Sequence, residues 1–331
     1  MIDRRIFLKS LAAITAGLQL SGCSGNREAD PSSDRFGALL PRRKLGDSGD
    51  AVTMLGVGGW HLGRMSEREA EDTVEAAIGG GIRFFDCAES YQNGGSEERL
   101  GRLLVPKYRD VVFLMTKSLA QDARTAREHL EATLRRLKTD YLDLWQMHSL
   151  ETPEDAESRL RSGVLDVFRE AQASGKVRHI GFTGHRIPDA HLRMLELAGD
   201  SFQTCQMPVN LADPSYNSFI KQVMPRLVER KIAILGMKSL ANGGFFGGSR
   251  QGEHGDKPHL VPNRVSMAEA IHFVWSLPVS AIITGPDRPA HLREKIGLAR
   301  SFMKMDDQQR QSLVSKVADL AVHGGIEFYK A

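Results

Sequence analysis

Three apolar segments that follow one another along the chain each end in side chains able to hold or move a proton. Phe84-Phe85-Asp86-Cys87-Ala88-Glu89-Ser90-Tyr91 delivers a carboxylate and a phenol, Met115-Thr116-Lys117 an amine, and Leu144-Trp145-Gln146-Met147-His148 an imidazole. A free phenol, with a pKa of about 10, is a sluggish proton-transfer partner near neutrality. An ammonium beside it favours the phenolate and lowers that value. In such an arrangement Tyr91 donates and accepts a proton, Lys117 tunes it, Asp86 anchors Lys117 and balances its charge, and His148 orients a substrate oxygen. Taken singly, an Asp–Lys pair is an ordinary structural ion pair and a tyrosine ordinary packing. The weight lies in four such groups at three successive strand ends.

The elements that must carry these residues alternate. Strands are predicted over residues 54–58, 83–87, 111–116, 141–147, 179–182, 204–207, 233–237 and 281–284, each short and apolar, as strands covered on both faces are. Ser66 opens a helix with Glu69 at capping-box spacing, and Ala70, Val74, Ala77 and Ile78 form its apolar stripe. Ala126, Leu130, Leu134 and Leu137 do the same over 123–138, and further helices are expected over 96–105 and from Pro188, Ser215, Ser266 and Pro289. Eight strand–helix units imply a parallel sheet, but local alternation serves a closed barrel and an open doubly wound sheet equally. In a barrel, the C-terminal strand ends are where chemistry is placed. Ahead of the first strand, Gly46-Asp47-Ser48-Gly49 marks the turn of a hairpin over 41–53 that would plug the barrel bottom. Residues 241–264 form a long Gly-rich loop, a length usually reserved for function, with Phe245 or Phe246 placed to close over a pocket.

The whole chain, 331 residues with 41% hydrophobic and 26% charged, has ordinary globular composition. A net charge of only +3 gives no reason to invoke nucleic acid. The N-terminus differs: Asp3-Arg4-Arg5-Ile6-Phe7-Leu8-Lys9 precedes a short apolar run over 11–20 that closes in Leu20-Ser21-Gly22-Cys23. A basic region, a short apolar core and a small-residue cleavage site describe a signal peptide over 1–22. The paired arginines resemble a twin-arginine signal and Leu-Ser-Gly-Cys resembles a bacterial lipobox, in which the cysteine carries lipid. These features imply an exported, periplasmic protein held to the membrane through Cys23, with 23–40 a flexible tether and 41–331 the folded domain. Cys87 and Cys205 sit in apolar strands and are expected as buried thiols, not a disulfide framework.

Asp86-x-Ala88-x-x-Tyr91, with Lys117 and His148 at the next two strand ends, resembles the aldo/keto reductase family over roughly residues 42–305, including Ile283-Thr284-Gly285. The resemblance implies a (β/α)8 TIM barrel with an N-terminal β-hairpin and a C-terminal helical extension. It also implies interconversion of a small carbonyl compound and its alcohol, with NADP or, failing that, NAD as cofactor. On that basis Gln206 holds the carboxamide, Thr183 assists from the fifth strand, and Met237 stands where many members stack a tyrosine on the nicotinamide. Gly285, Arg288 and Glu294 surround the adenosine phosphates, Lys295 replaces the usual asparagine, and Trp60 and His61 line the substrate pocket. Ser149 stands where many members place a tryptophan, implying a more open pocket. The absence of a Gly-x-Gly-x-x-Gly turn argues against a Rossmann domain. Two rivals remain: a non-catalytic nicotinamide-binding sensor or partner subunit, and a metal-dependent hydrolase. The hydrolase would need His, Asp and Glu clusters at several strand ends, whereas only His61 follows the first strand and no metal is expected.

Overall fold

The computed structural model describes residues 32–246, 260–261 and 263–330. The signal peptide, Cys23 and most of the glycine-rich loop lie outside the described residues.

Residues given to the tether form structure instead. Strands β1 (Ser33–Asp34) and β2 (Gly37–Ala38) pair antiparallel. Arg83 explains the order: its guanidinium donates to both Asp34 oxygens at 2.6 and 2.7 Å and holds that carboxyl below the usual range. Phe36 packs edge-on against Tyr108 at 4.9 Å. Residues 33–38 therefore belong to the folded part, because a bidentate ion pair and an aromatic contact fix what local composition leaves free.

Strands β3 (Arg42–Lys44) and β4 (Ala51–Thr53) make the expected hairpin. The eight strands that follow are β5 (Leu55–Gly58), β6 (Phe84–Asp86), β7 (Phe113–Ser118), β8 (Leu142–Met147), β9 (Val177–Thr183), β10 (Thr204–Pro208), β11 (Ala233–Met237) and β12 (Ala281–Thr284). All pair in parallel, and β12 returns to β5 through Ile282–Leu55, Ile283–Gly56 and Thr284–Val57, closing the barrel. The eightfold alternation is thus a barrel and not an open sheet.

Side chains alternate across the wall as the strand period requires. Phe84, Met115, Leu144, Leu235 and Ile283 fill the interior, together with Leu45 and Val52 from the hairpin, which seals the N-terminal end. Phe85, Leu114, Trp145, Ile234 and Ile282 face the helices, where Trp145 stacks on Phe168 at 3.7 Å. Ser66–Glu69 and Ser266–Glu269 form capping boxes as their spacing predicts. The helix expected from Ser215 begins instead at Phe219, because Asp213 turns the chain and accepts from the Phe219 and Ile220 amides at 3.0 and 2.8 Å.

After the helix Asp307–Val317, the chain runs back over the mouth through 3-10 turns at Ala318–Gly324 and Phe328–Lys330. Among the described residues no helix is long and apolar enough to cross a membrane.

Candidate active site

Asp86 closes β6, Tyr91 opens a tight turn five residues on, Lys117 lies near the end of β7, and His148 directly follows β8. The shared end of three adjacent parallel strands brings all four together. Lys117 donates to Asp86 in a very short contact, to the Cys87 carbonyl at 2.7 Å and to the Tyr91 hydroxyl at 3.3 Å. The rings of Tyr91 and His148 meet edge-on at 5.9 Å, and Trp60 also packs edge-on against Tyr91 at 5.5 Å. The second Asp86 oxygen accepts from the Gln206 amide at 3.2 Å.

The electrostatics differ from the expectation of an acidic phenol. Burial pushes Tyr91 up to about 12, Lys117 pulling it down and Asp86 adding to the rise. The sequence shows an amine near a phenol, but the fold spends that amine on Asp86, so the phenol faces a nearly neutral pair. Burial works against the Lys117 ammonium as well, but Asp86 and Tyr91 outweigh it and the amine is held charged. Burial, helped by Lys117 and other nearby cations, drops His148 well below the usual imidazole range. The site therefore rests as neutral phenol, charged amine and neutral imidazole. Nδ1 of His148 has no partner within the described residues.

These groups open into a cavity of about 800 Å³ at the C-terminal barrel face. Of the residues expected from sequence, Trp60, His61, Thr183, Gln206, Met237, Gly285 and Phe246 line it with Asp86, Tyr91, Lys117 and His148. Arg288, exposed and donating to His291 at 2.9 Å, and Glu294 do not line it, and Phe245 is core. His61 lies so close to Gly285 that a Cβ there would fall 2.0 Å from its ring, and its Nε2 comes within 3.7 Å of Asp287. A larger hollow of about 1100 Å³ at the opposite end, beside Arg43 and Phe302, contains none of the strand-end groups.

Sequence reasoning missed three contributors. Arg159, 2% exposed, is paired with Asp155 and donates to the His148 carbonyl at 2.7 Å, fixing the backbone that carries the imidazole. Lys238 and His185 line the cavity immediately beyond β11 and β9, in the same strand-end position that marked Lys117. Lys295, read from sequence only as the residue that replaces an asparagine, is 3% exposed and also lines the cavity, and burial lowers its amine to about 8.

The residues present fit a nicotinamide cofactor. The Gln206 side-chain oxygen is buried without a partner, which suits it to accept from a carboxamide. Lys295 offers a buried ammonium at the β12 side of the same cavity. Among the described residues no three His, Cys, Asp or Glu side chains gather to hold a metal. Cys87 and Cys205 are free and buried.

A family model described as the aldo/keto reductase family matches residues 54–317. Aldo-keto reductase YhdN of Bacillus subtilis (strain 168) is 30% identical over 220 residues, covering 60% of this chain and 62% of YhdN. The chain thus spans less than two thirds of that relative. Aldo-keto reductase AKR11C1 from Bacillus halodurans superposes with a TM-score of 0.70 at 20% identity, over 87% of this chain and 99% of that one. An aldo-keto reductase from Klebsiella pneumoniae in complex with NADPH does so with a TM-score of 0.66 at 20% identity, over 85% and 96%. At those identities the two structures speak for the fold alone.

Proposed function

Since the chain belongs to the aldo/keto reductase family, we propose that it is an NADP(H)-dependent oxidoreductase that interconverts a small aldehyde, ketone or sugar carbonyl and its alcohol. The observation that carries this reading is Tyr91 held 3.3 Å from the Lys117 ammonium at the floor of a cavity that His148 also lines.

When bound, the cofactor supplies a hydride to the carbonyl carbon and is itself oxidised. Gln206, Thr183 and Met237 would hold its nicotinamide side, and Gly285 and Lys295 its phosphate side. A thioether packs adequately against a ring, so Met237 serves where a tyrosine is more usual. Tyr91 gives its hydroxyl proton to the carbonyl oxygen, and the Lys117 ammonium stabilises the phenolate left behind. Neutral His148 hydrogen-bonds the same oxygen and fixes its direction. The products are one alcohol and one oxidised cofactor, with the proton regained from solvent through Tyr91.

A panel of carbonyl compounds, followed at the reduced-nicotinamide absorbance band, tests this reading. Cofactor binding without turnover of any carbonyl would favour the sensor or partner-subunit alternative. The pH dependence is a sharper check. With a phenol at about 12, the acid form persists through the ordinary range, so kcat for reduction at saturating NADPH and a neutral aldehyde shows no alkaline fall due to Tyr91. The reverse oxidation needs the phenolate and therefore climbs as pH rises. A fall in kcat for reduction near neutrality that Tyr91→Phe abolishes would contradict this assignment.

The N-terminal residues support a proposal of export. Arg4-Arg5 and Leu20-Ser21-Gly22-Cys23 fit twin-arginine export of the folded chain, cofactor already bound, followed by lipid attachment at Cys23 in the periplasm. Mass spectrometry of the membrane fraction should find a lipidated peptide beginning at Cys23. A cytoplasmic protein retaining residues 1–22 would overturn the proposal.

A further inference from the structure

The cavity wall also carries an amine that the carbonyl chemistry does not use. Lys238 follows β11 with φ of 53°, a left-handed conformation costly for a lysine. Its Nζ lies 4.8 Å from the centre of the Tyr329 ring. The same ring meets His185 edge-on at 6.2 Å, so both side chains contact Tyr329. Among the described residues no carboxylate pairs with Lys238, and burial lowers its amine to about 8. Burial likewise lowers His185 to about 4, with Lys238 adding to it, leaving a neutral imidazole. Lys238 and His185 both line the same cavity as His148 and Ser149.

An unpaired ammonium withdrawn from water is expensive unless a ligand completes it. We propose that Lys238 and His185 form a subsite that takes the carboxylate of an acidic carbonyl substrate, placing that group beside His148. One ammonium with one neutral donor matches a single negative charge; a phosphate dianion would call for a second cation. Ser149, also lining the cavity, adds a hydroxyl where a bulkier side chain would fill the space. The inference rests on the carbonyl-reductase reading and adds what the substrate carries.

The test compares benzaldehyde with 4-carboxybenzaldehyde under NADPH, using the full chain, and follows benzoate binding by calorimetry. The wild type should favour the carboxylate in kcat/KM by about tenfold or more. That ratio should collapse in Lys238→Met and persist in Lys238→Arg, and benzoate should bind about tenfold more weakly to Lys238→Met. A wild-type ratio near one, or a ratio unchanged in Lys238→Met, overturns the subsite. So does a loss confined to NADPH affinity, which would assign Lys238 to a cofactor phosphate. If neither aldehyde turns over, the carbonyl-reductase reading fails, and benzoate binding with its dependence on Lys238 still decides the subsite.

Discussion

Tyr91→Phe lowers kcat for carbonyl reduction about a thousandfold, the loss typical of removing a positioned proton donor, and leaves NADPH affinity in place. The substitution deletes one oxygen and keeps the ring. The edge-on contacts to Trp60 and His148 persist, and Lys117 remains bound to Asp86 and the Cys87 carbonyl. The residues expected to meet the cofactor do not depend on the hydroxyl. The expected change is thus confined to the step in which the carbonyl oxygen gains its proton, a barrier increase of roughly 4 kcal/mol. Single-turnover kinetics with a separate fluorescence titration of NADPH would show the split. Near wild-type turnover would remove Tyr91 from proton transfer, whatever the distances.

The reason this can be argued from one residue is that the site is positioned by regular structure. Asp86, Lys117 and His148 each sit at the end of a strand whose register is set by its neighbours, Asp86 opposite Met115 and Lys117 opposite Gln146. Alternation along those strands was readable from sequence because short apolar runs and helix caps are local signals. Closure was not readable, since it depends on Ile283 meeting Gly56 across most of the chain. The hairpin at 33–38 was missed for the same reason: Asp34 and Arg83 are 49 residues apart. Arg288 looked suited to a phosphate by type, but Lys295, about two helical turns further on, is the residue that lines the cavity. Lys238 could have been found, because the strand-end rule that selected Lys117 applies equally to the residue after Met237.

The Tyr91 pKa shows a different limit. Residue types give the sign of each pairwise effect, an amine lowering a phenol, but burial and the partner already taken by that amine decide the sum. This also changes the chemical emphasis. A phenol at about 12 is a ready acid and a scarce base, so the resting site is set for reduction, and oxidation depends on raising the pH or on charge brought in with the oxidised cofactor.

The largest expected effect on stability lies where the C-terminal turn docks beside the mouth. Lys330, Asp213 and Glu327 form an ion cluster in which all three side chains are 0% exposed. Lys330 donates to Asp213 at 2.6 Å, to Glu327 at 2.8 Å and to the Tyr216 carbonyl at 3.1 Å. Asn210 and Tyr329 donate to the other Glu327 oxygen at 2.7 and 2.6 Å. Lys330→Met removes the only cation and strands two buried carboxylates, which costs about 3–5 kcal/mol and lowers Tm by roughly 10 °C for a domain of this size. Burial already raises Glu327 above the usual carboxylate range, with Lys330 opposing. In the variant that rise grows, and a carboxyl whose folded pKa lies above its unfolded one is stabilising only when protonated. The deficit should therefore shrink as pH falls toward 5 and widen toward 8, and Glu327→Gln in the same chain should recover part of it. Thermal unfolding of the two variants at both pH values measures this. A Tm loss independent of pH, or no loss at all, would show that the cluster is not what fastens the turn carrying Tyr329 against Lys238 and His185.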